Sequence, residues 1–220
     1  MSFRINYKNR LLMSGAIVFA LMVPAIASDS AAALKAFRAG DYATAYNQWK
    51  PLADRGDADA QCNLGIMYQK GLGVNRDSGQ AFQLFQAAAD QGNAQAEYQL
   101  AQMYAKGFGV PQSYSSALLW TQKSAAAGDA DGENRMGWLY DEGYGVQKDA
   151  KQAVYYYRLS AAKGNADAAF SLGLAYEKGS GVRKDYTEAA KWLQMSAKQG
   201  NTKAQAELEA LQQKDQLTKK

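Results

Sequence analysis

The chain has 220 residues, 47% hydrophobic and 21% charged, with 25 basic and 21 acidic side chains, one cysteine and no histidine. That composition is globular in type, and it excludes Ser-His-Asp and Cys-His catalysis, histidine-ligated metals and any disulfide within the chain. Residues 1–27 hold three of the 25 basic side chains and no acidic ones, leaving 22 against 21, so the remainder carries no electrostatic footprint for nucleic acid or an anionic membrane.

Arg4, Lys8 and Arg10 precede an apolar run from Leu11 to Val23, then come Pro24 and the small residues Ala25 and Ala27. This is the three-part pattern of a secretory signal with an A-x-A cleavage site, predicting a mature chain from Ser28. An uncleaved anchor is the weaker reading, because the run is short of the roughly 20 residues a membrane span needs. No cysteine follows the cleavage site to carry a lipid, so a soluble exported protein is expected, periplasmic or secreted.

Residues 28–57 read as a shortened helical hairpin that caps an array, in which Asp41, Ala45, Trp49 and Gly56 keep the period of the downstream units and Pro51 interrupts the second helix. Four full units then run over 58–93, 94–129, 130–165 and 166–201. Tyr68, Tyr104, Tyr140 and Tyr176 recur at intervals of 36 residues, and in register with them stand the Gly-x-Gly-Val loops of Gly71, Gly107, Gly143 and Gly179. Self-similarity at that period marks stacked supersecondary units.

Each unit encodes two helices. In the first unit Ala60, Leu64, Gly65 and Tyr68 share one helix face, and Ala81, Phe85, Ala88 and Ala89 share another. Gly56, Gly92, Gly128, Gly164 and Gly200 are placed to end the second helices, and the Asp or Asn after each is placed to cap the next first helix. Asp77, Ser113, Asp149 and Asp185 are placed to cap the second helices. Small residues at Gly65, Ala101, Gly137 and Gly173 let the helices of a hairpin approach, with the tyrosine column expected to fill the seam. Residues 202–211 offer one more apolar helical face as a C-terminal cap, followed by a polar tail over 212–220.

The frame Ala60, Leu64, Gly65, Tyr68, Gly71, Gly73, Val74, Asp77 and Ala81 resembles the Sel-one-like repeat, a longer-looped relative of the tetratricopeptide repeat. The departures are modest: Ala101 for Gly, Met136 for Leu, Gly132 for Ala, and Pro111 and Ser113 in the second loop. The resemblance implies an all-α, right-handed solenoid of antiparallel helix hairpins whose concave side, lined by the first helices, binds proteins or peptides. It also implies an adaptor, a regulator of signalling or secretion, or a secreted host-interaction factor. One cysteine-rich branch is linked to β-lactam binding or hydrolysis, but the paired cysteines that staple it are missing here.

Mapped through the related tetratricopeptide family, the concave positions fall in three columns. Cys62, Tyr98, Asn134 and Phe170 form one; Asn63, Gln99, Arg135 and Ser171 the next; Ile66, Gln102, Trp138 and Leu174 the third. From these, the predicted partner-binding residues are Asn63, Tyr98, Gln99, Gln102, Asn134, Arg135, Trp138 and Phe170. The aromatics can bury partner side chains, and the amides and Arg135 can hold a backbone or a carboxylate. Packing between repeats is the competing role for Tyr98 and Phe170. The triple tyrosine at 155–157 points in three directions on a helix, with Tyr157 in the core column of Trp49 and Phe85. Cys62 reads as an inert apolar residue, since no cationic neighbour is evident to lower its pKa.

No nucleophile elbow or phosphate loop is present, and the Gly-x-Gly pairs follow helices rather than strands. The expectation is therefore a monomeric, noncatalytic binding scaffold of the bacterial cell envelope, with a protein or peptide partner and no cofactor, metal or nucleic acid.

Overall fold

The computed structural model describes residues 23–218, so residues 1–22 of the expected signal lie outside it. Among the described residues the chain forms eleven helices and no strand. They are α1 (Val23–Arg38), α2 (Tyr42–Asp54), α3 (Ala58–Lys70), α4 (Ser78–Ala89), α5 (Ala94–Lys106), α6 (Tyr114–Ala126), α7 (Ala130–Glu142), α8 (Ala150–Ala162), α9 (Ala166–Lys178), α10 (Tyr186–Lys198) and α11 (Thr202–Thr218). Each packs on the next in chain order, which makes an α-solenoid of helical hairpins. Alternate first helices also touch, α5 with α7 and α7 with α9, whereas among the described residues no pair of second helices approaches as closely. The first helices therefore line the inner side of the curve.

Capping sets the boundaries. The carboxylate of Asp57 accepts the backbone N–H of Ala60 at 2.8 Å, and Asn93, Asp129 and Asn165 do the same for Ala96, Gly132 and Ala168 at the starts of α5, α7 and α9. At the second helices Asp77 accepts from both Gly79 and Gln80, and Asp149 and Asp185 repeat the arrangement. These bonds satisfy donors that a helix N-terminus otherwise leaves unpaired.

The second glycine of each loop answers a tertiary demand. At Gly181, φ is +70° and a β-carbon would stand 2.1 Å from the carbonyl oxygen of Ala150, so the loop of one repeat lies directly on the first turn of the preceding repeat's second helix. A side chain there meets both backbone strain and backbone atoms.

Packing within the first, third and fourth full hairpins is a match between one large and one small residue. Phe85 on α4 lies where a β-carbon on Gly65 would be 2.6 Å from its ring; Tyr157 on α8 stands in the same relation to Gly137, and Leu193 on α10 to Gly173 at 2.8 Å. Phe85, Tyr157 and Leu193 are buried, so side chains of the second helices fill these seams. The tyrosine column does not, contrary to the sequence expectation. Tyr68, Tyr104, Tyr140 and Tyr176 are only half-buried and flank the seams, Tyr140 by stacking on Tyr156 at 5.7 Å.

Two further expectations are corrected. Pro51 does not interrupt α2, which runs on to Asp54; Pro51 and Asn47 are both exposed, so the helical carbonyl that loses its N–H partner lies on the solvent side. The expected tail at 212–220 is helical as far as Thr218, because Gln, Lys and Leu after Leu211 are good helix formers and neither Gly nor Pro follows to stop α11. Helix α1, described from Val23 onward, spans the expected Ala27–Ser28 junction.

Candidate partner-binding site

The seam of α5 and α6 breaks the large-small rule. The column that holds Trp49, Phe85, Tyr157 and Leu193 holds Thr121 on α6, and the facing glycine column holds Ala101. The added methyl of Ala101 does not replace an aromatic ring, and the Thr121 hydroxyl turns back to donate to the Ala117 carbonyl at 2.7 Å. At this point the seam adjoins a cavity of about 770 Å³ between α5, α6 and α7, several times the volume of one missing ring. That volume lies within the range of roughly 300–1,000 Å³ typical of ligand pockets.

Ala101, Ala117 and Thr121 line the cavity from the seam, Tyr98, Gln102, Arg135 and Trp138 from the inner helices, and Tyr144 and Lys106 from the loop end. The Arg135 guanidinium stands 4.2 Å above the Trp138 ring, and Trp138 stacks on Tyr144 with centroids 5.1 Å apart. Cation–π attraction thus holds the guanidinium by its face and leaves its N–H edge unused. Asp131, one turn before Arg135, is engaged instead by Asn165 at 2.8 Å. Burial pushes the Tyr98 phenol up to about 12, helped by the charge of Asp131, so it stays a neutral hydrogen-bonding group.

Four of the eight predicted residues, Tyr98, Gln102, Arg135 and Trp138, are therefore brought together. Asn63, Gln99 and Asn134 are half-buried on α3, α5 and α7 and do not line the cavity. Phe170 packs against the core of Ala189, Leu193, Ala204 and Leu211. Sequence reasoning missed Tyr144, Leu118 and Thr121; the signal for them was the small residue in a column otherwise held by large ones.

The same junction also lacks ties present elsewhere. Asn93 donates to Asp59, Asn165 to Asp131 and Asn201 to Asp167, but the corresponding pair is Asp129 and Gln95, and Gln95 instead receives a weak bond from the Cys62 thiol at 3.7 Å. Lys163 pairs with the buried Glu133 at 2.6 Å, and Gln91 bonds Gln61 at 2.9 Å, whereas opposite Glu97 stands Ala127. Ser160 and Ser196 donate to the first carbonyl of the partner helix in their own hairpin, at Ala130 and Ala166; Ser124 makes no such bond, and its Oγ lies 2.3 Å from where a β-carbon on Gly132 would be. Gly132 replaces alanine for that reason. Gly145, unlike Gly73, Gly109 and Gly181, meets no backbone of the preceding repeat and only Leu118 at 3.2 Å.

Cys62 is 1% exposed and its thiol is pushed up to about 12, chiefly by burial, so it is an inert core residue. Among the described residues no group of three or more His, Cys, Asp or Glu side chains is arranged to hold a metal ion, and no helix is long and apolar enough to cross a membrane.

A curved stack of hairpins with an aromatic cleft on its inner side is the architecture of a helical-repeat interaction scaffold. The chain belongs to the Sel1 repeat family, whose profile matches residues 58–93, 94–129, 130–165 and 166–201. Proteins built from Sel1 repeats are generally protein-interaction scaffolds. Among solved structures it is similar to a Sel1 repeat protein from Oxalobacter formigenes, at 35% identity and a TM-score of 0.70 over 76% of this chain and 49% of that one. It is also similar to c5321 of uropathogenic Escherichia coli, described as a protective antigen with an SLR fold, at 32% identity and a TM-score of 0.69 over 84% of this chain and 40% of that one. The chain thus spans half or less of the length of these two relatives. The immunity protein Pa5087 of Pseudomonas aeruginosa shares the fold at 24% identity, with a TM-score of 0.60 over 82% of this chain and 68% of that one. No curated protein matches the sequence.

Proposed function

We propose that this chain is a noncatalytic protein-binding scaffold of the bacterial cell envelope that docks a partner polypeptide on the inner face of its solenoid, centred on the cavity between α5, α6 and α7. The cavity carries the reading: an aromatic-lined cleft with a preset arginine is the kind of surface on which partner side chains bury area and gain charge-assisted hydrogen bonds. Residues 28–57 and 202–211 act as caps in this reading, covering the apolar ends of the four-repeat array. Export rests on the pattern of residues 1–27, and a role in signalling or secretion would follow from the partner's identity.

The test places a photoreactive amino acid at Gln102 or, as a control, at the outward Tyr155, 54% exposed, in the living cell. Crosslinking to a defined protein from position 102 and not from 155 is the expected result. Equal crosslinking from both positions would remove the inner face from the proposal. Cell fractionation and N-terminal sequencing address export, which fails if the full-length chain stays in the cytoplasm.

A further inference from the structure

We infer that the cavity receives a bulky apolar side chain of the partner polypeptide next to an acidic residue, with Arg135 meeting the carboxylate. The inference rests on the docking surface proposed above and names the chemistry of its occupant.

Shape gives the apolar half. Thr121 stands where the other full repeats hold Phe85, Tyr157 or Leu193, so the seam end of the cavity lacks a side chain of that size and character. Tyr98, Leu118 and Trp138 supply walls that an aromatic or long aliphatic group can bury against. Charge gives the other half. Arg135 and Lys106 both line the cavity, and no Asp or Glu is among its lining residues. Arg135 makes no ion pair with another described residue, while its face is held on Trp138, so two parallel N–H donors are presented to a carboxylate without further ordering. Lys106 donates to Gln102 at 3.4 Å, which leaves its charge at the loop end of the same cleft. Nucleic acid would need a broader basic surface than two cations.

Short random peptides displayed on phage are selected against the folded protein, and the enriched ones are synthesised and titrated by fluorescence anisotropy. The proteins compared are the wild type, Arg135→Gln, and the double variant Ala101→Gly/Thr121→Phe, which rebuilds the Gly65–Phe85 seam and fills the seam end of the cavity. Expected are peptides with Asp or Glu beside Phe, Tyr, Trp, Leu or Met, weakened about tenfold or more by Arg135→Gln. Changing the peptide's acid to its amide should weaken binding to the wild type and not to Arg135→Gln. The filled variant should lose binding while melting no lower than the wild type; if it does not fold, Arg135→Gln decides alone. Enriched peptides without acids, lost on Gln99→Ala and Asn134→Ala but not on Arg135→Gln, would overturn this inference and leave the docking surface standing. Recovery of no binding peptide would overturn both. Self-association in sedimentation, abolished by the filled variant, would overturn it in favour of a second copy of the chain.

Discussion

If hairpin seams are a steric exchange between one large and one small residue, Gly137→Ala and Tyr157→Thr must be strongly coupled. A β-carbon at 137 would stand 2.6 Å from both Cδ1 and Cε1 of Tyr157, and that ring, 3% exposed, has no room to retreat. Overpacking of this kind costs about 1–3 kcal/mol, of which the better helix propensity of alanine offsets about 1 kcal/mol. Gly137→Ala alone should therefore destabilise by about 1 kcal/mol. Tyr157→Thr alone should cost about 3 kcal/mol, near the lower end for truncating a buried aromatic. In the Tyr157→Thr background the clash is gone and only the propensity term remains, so the same alanine should now stabilise by about 1 kcal/mol, a coupling of about 2 kcal/mol. Equilibrium urea unfolding of all four proteins, followed by far-UV ellipticity and tryptophan fluorescence, measures the cycle; the two probes must coincide for the free energies to be combined. A coupling below about 0.5 kcal/mol would refute the exchange and, with it, the explanation of the seam end of the cavity by Ala101 and Thr121.

Glu97, 6% exposed, has its carboxyl raised by burial, with Lys123 opposing and Asp129 reinforcing the shift. The folded state then binds the proton more tightly than the unfolded chain, so this group lowers stability as pH rises from its unfolded value of about 4.3 to its raised folded value, and the loss stays constant above. Glu97→Gln should accordingly stabilise at neutral pH, with the difference vanishing in melts below about pH 4. Ala127→Lys should supply the partner that Lys163 gives Glu133, gaining about 1 kcal/mol at low salt and less at high salt in urea titrations. Tyr140→Ala should cost about 2 kcal/mol, less than a fully buried ring, because the side chain is half-exposed. Cys62 should react with an aromatic disulfide reagent at pH 8 only as fast as the protein opens, whereas an immediate burst in native buffer would contradict its burial.

The period, the helix limits of the four repeats and their caps were legible because each rests on a local cue: glycine after a helix, Asp, Asn or Ser before one, and apolar residues three and four apart. Arg135 and Trp138 were legible as a pair for the same reason, three residues apart on one face. The cavity was not, since its seam end is the absence of a side chain and depends on two columns read against each other. Ala101 was noticed as a departure, but its meaning lies in Thr121, twenty residues away and on another helix. Misassigning the seam to the tyrosine column has the same origin: Tyr140 recurs as regularly as Tyr157 does not, and regularity in sequence says nothing about depth. Phe170 was placed on the binding face by its column, yet α10 and α11 supply apolar neighbours that partly bury it.

The uneven polar ties between turns set how far the array can respond as one body. In a linear stack, cooperativity spreads only as far as the coupling between neighbours exceeds the intrinsic instability of each unit. The ties that Glu97 and Ser124 do not make within the α5–α6 hairpin, and that Gln95 does not make to Asp129 at the start of α7, put the weakest stretch of the array at α5 and α6. Under rising denaturant, amides of α5 and α6 should exchange with solvent before those of α3, α4, α8 and α9, and this hairpin should open before the flanking repeats melt.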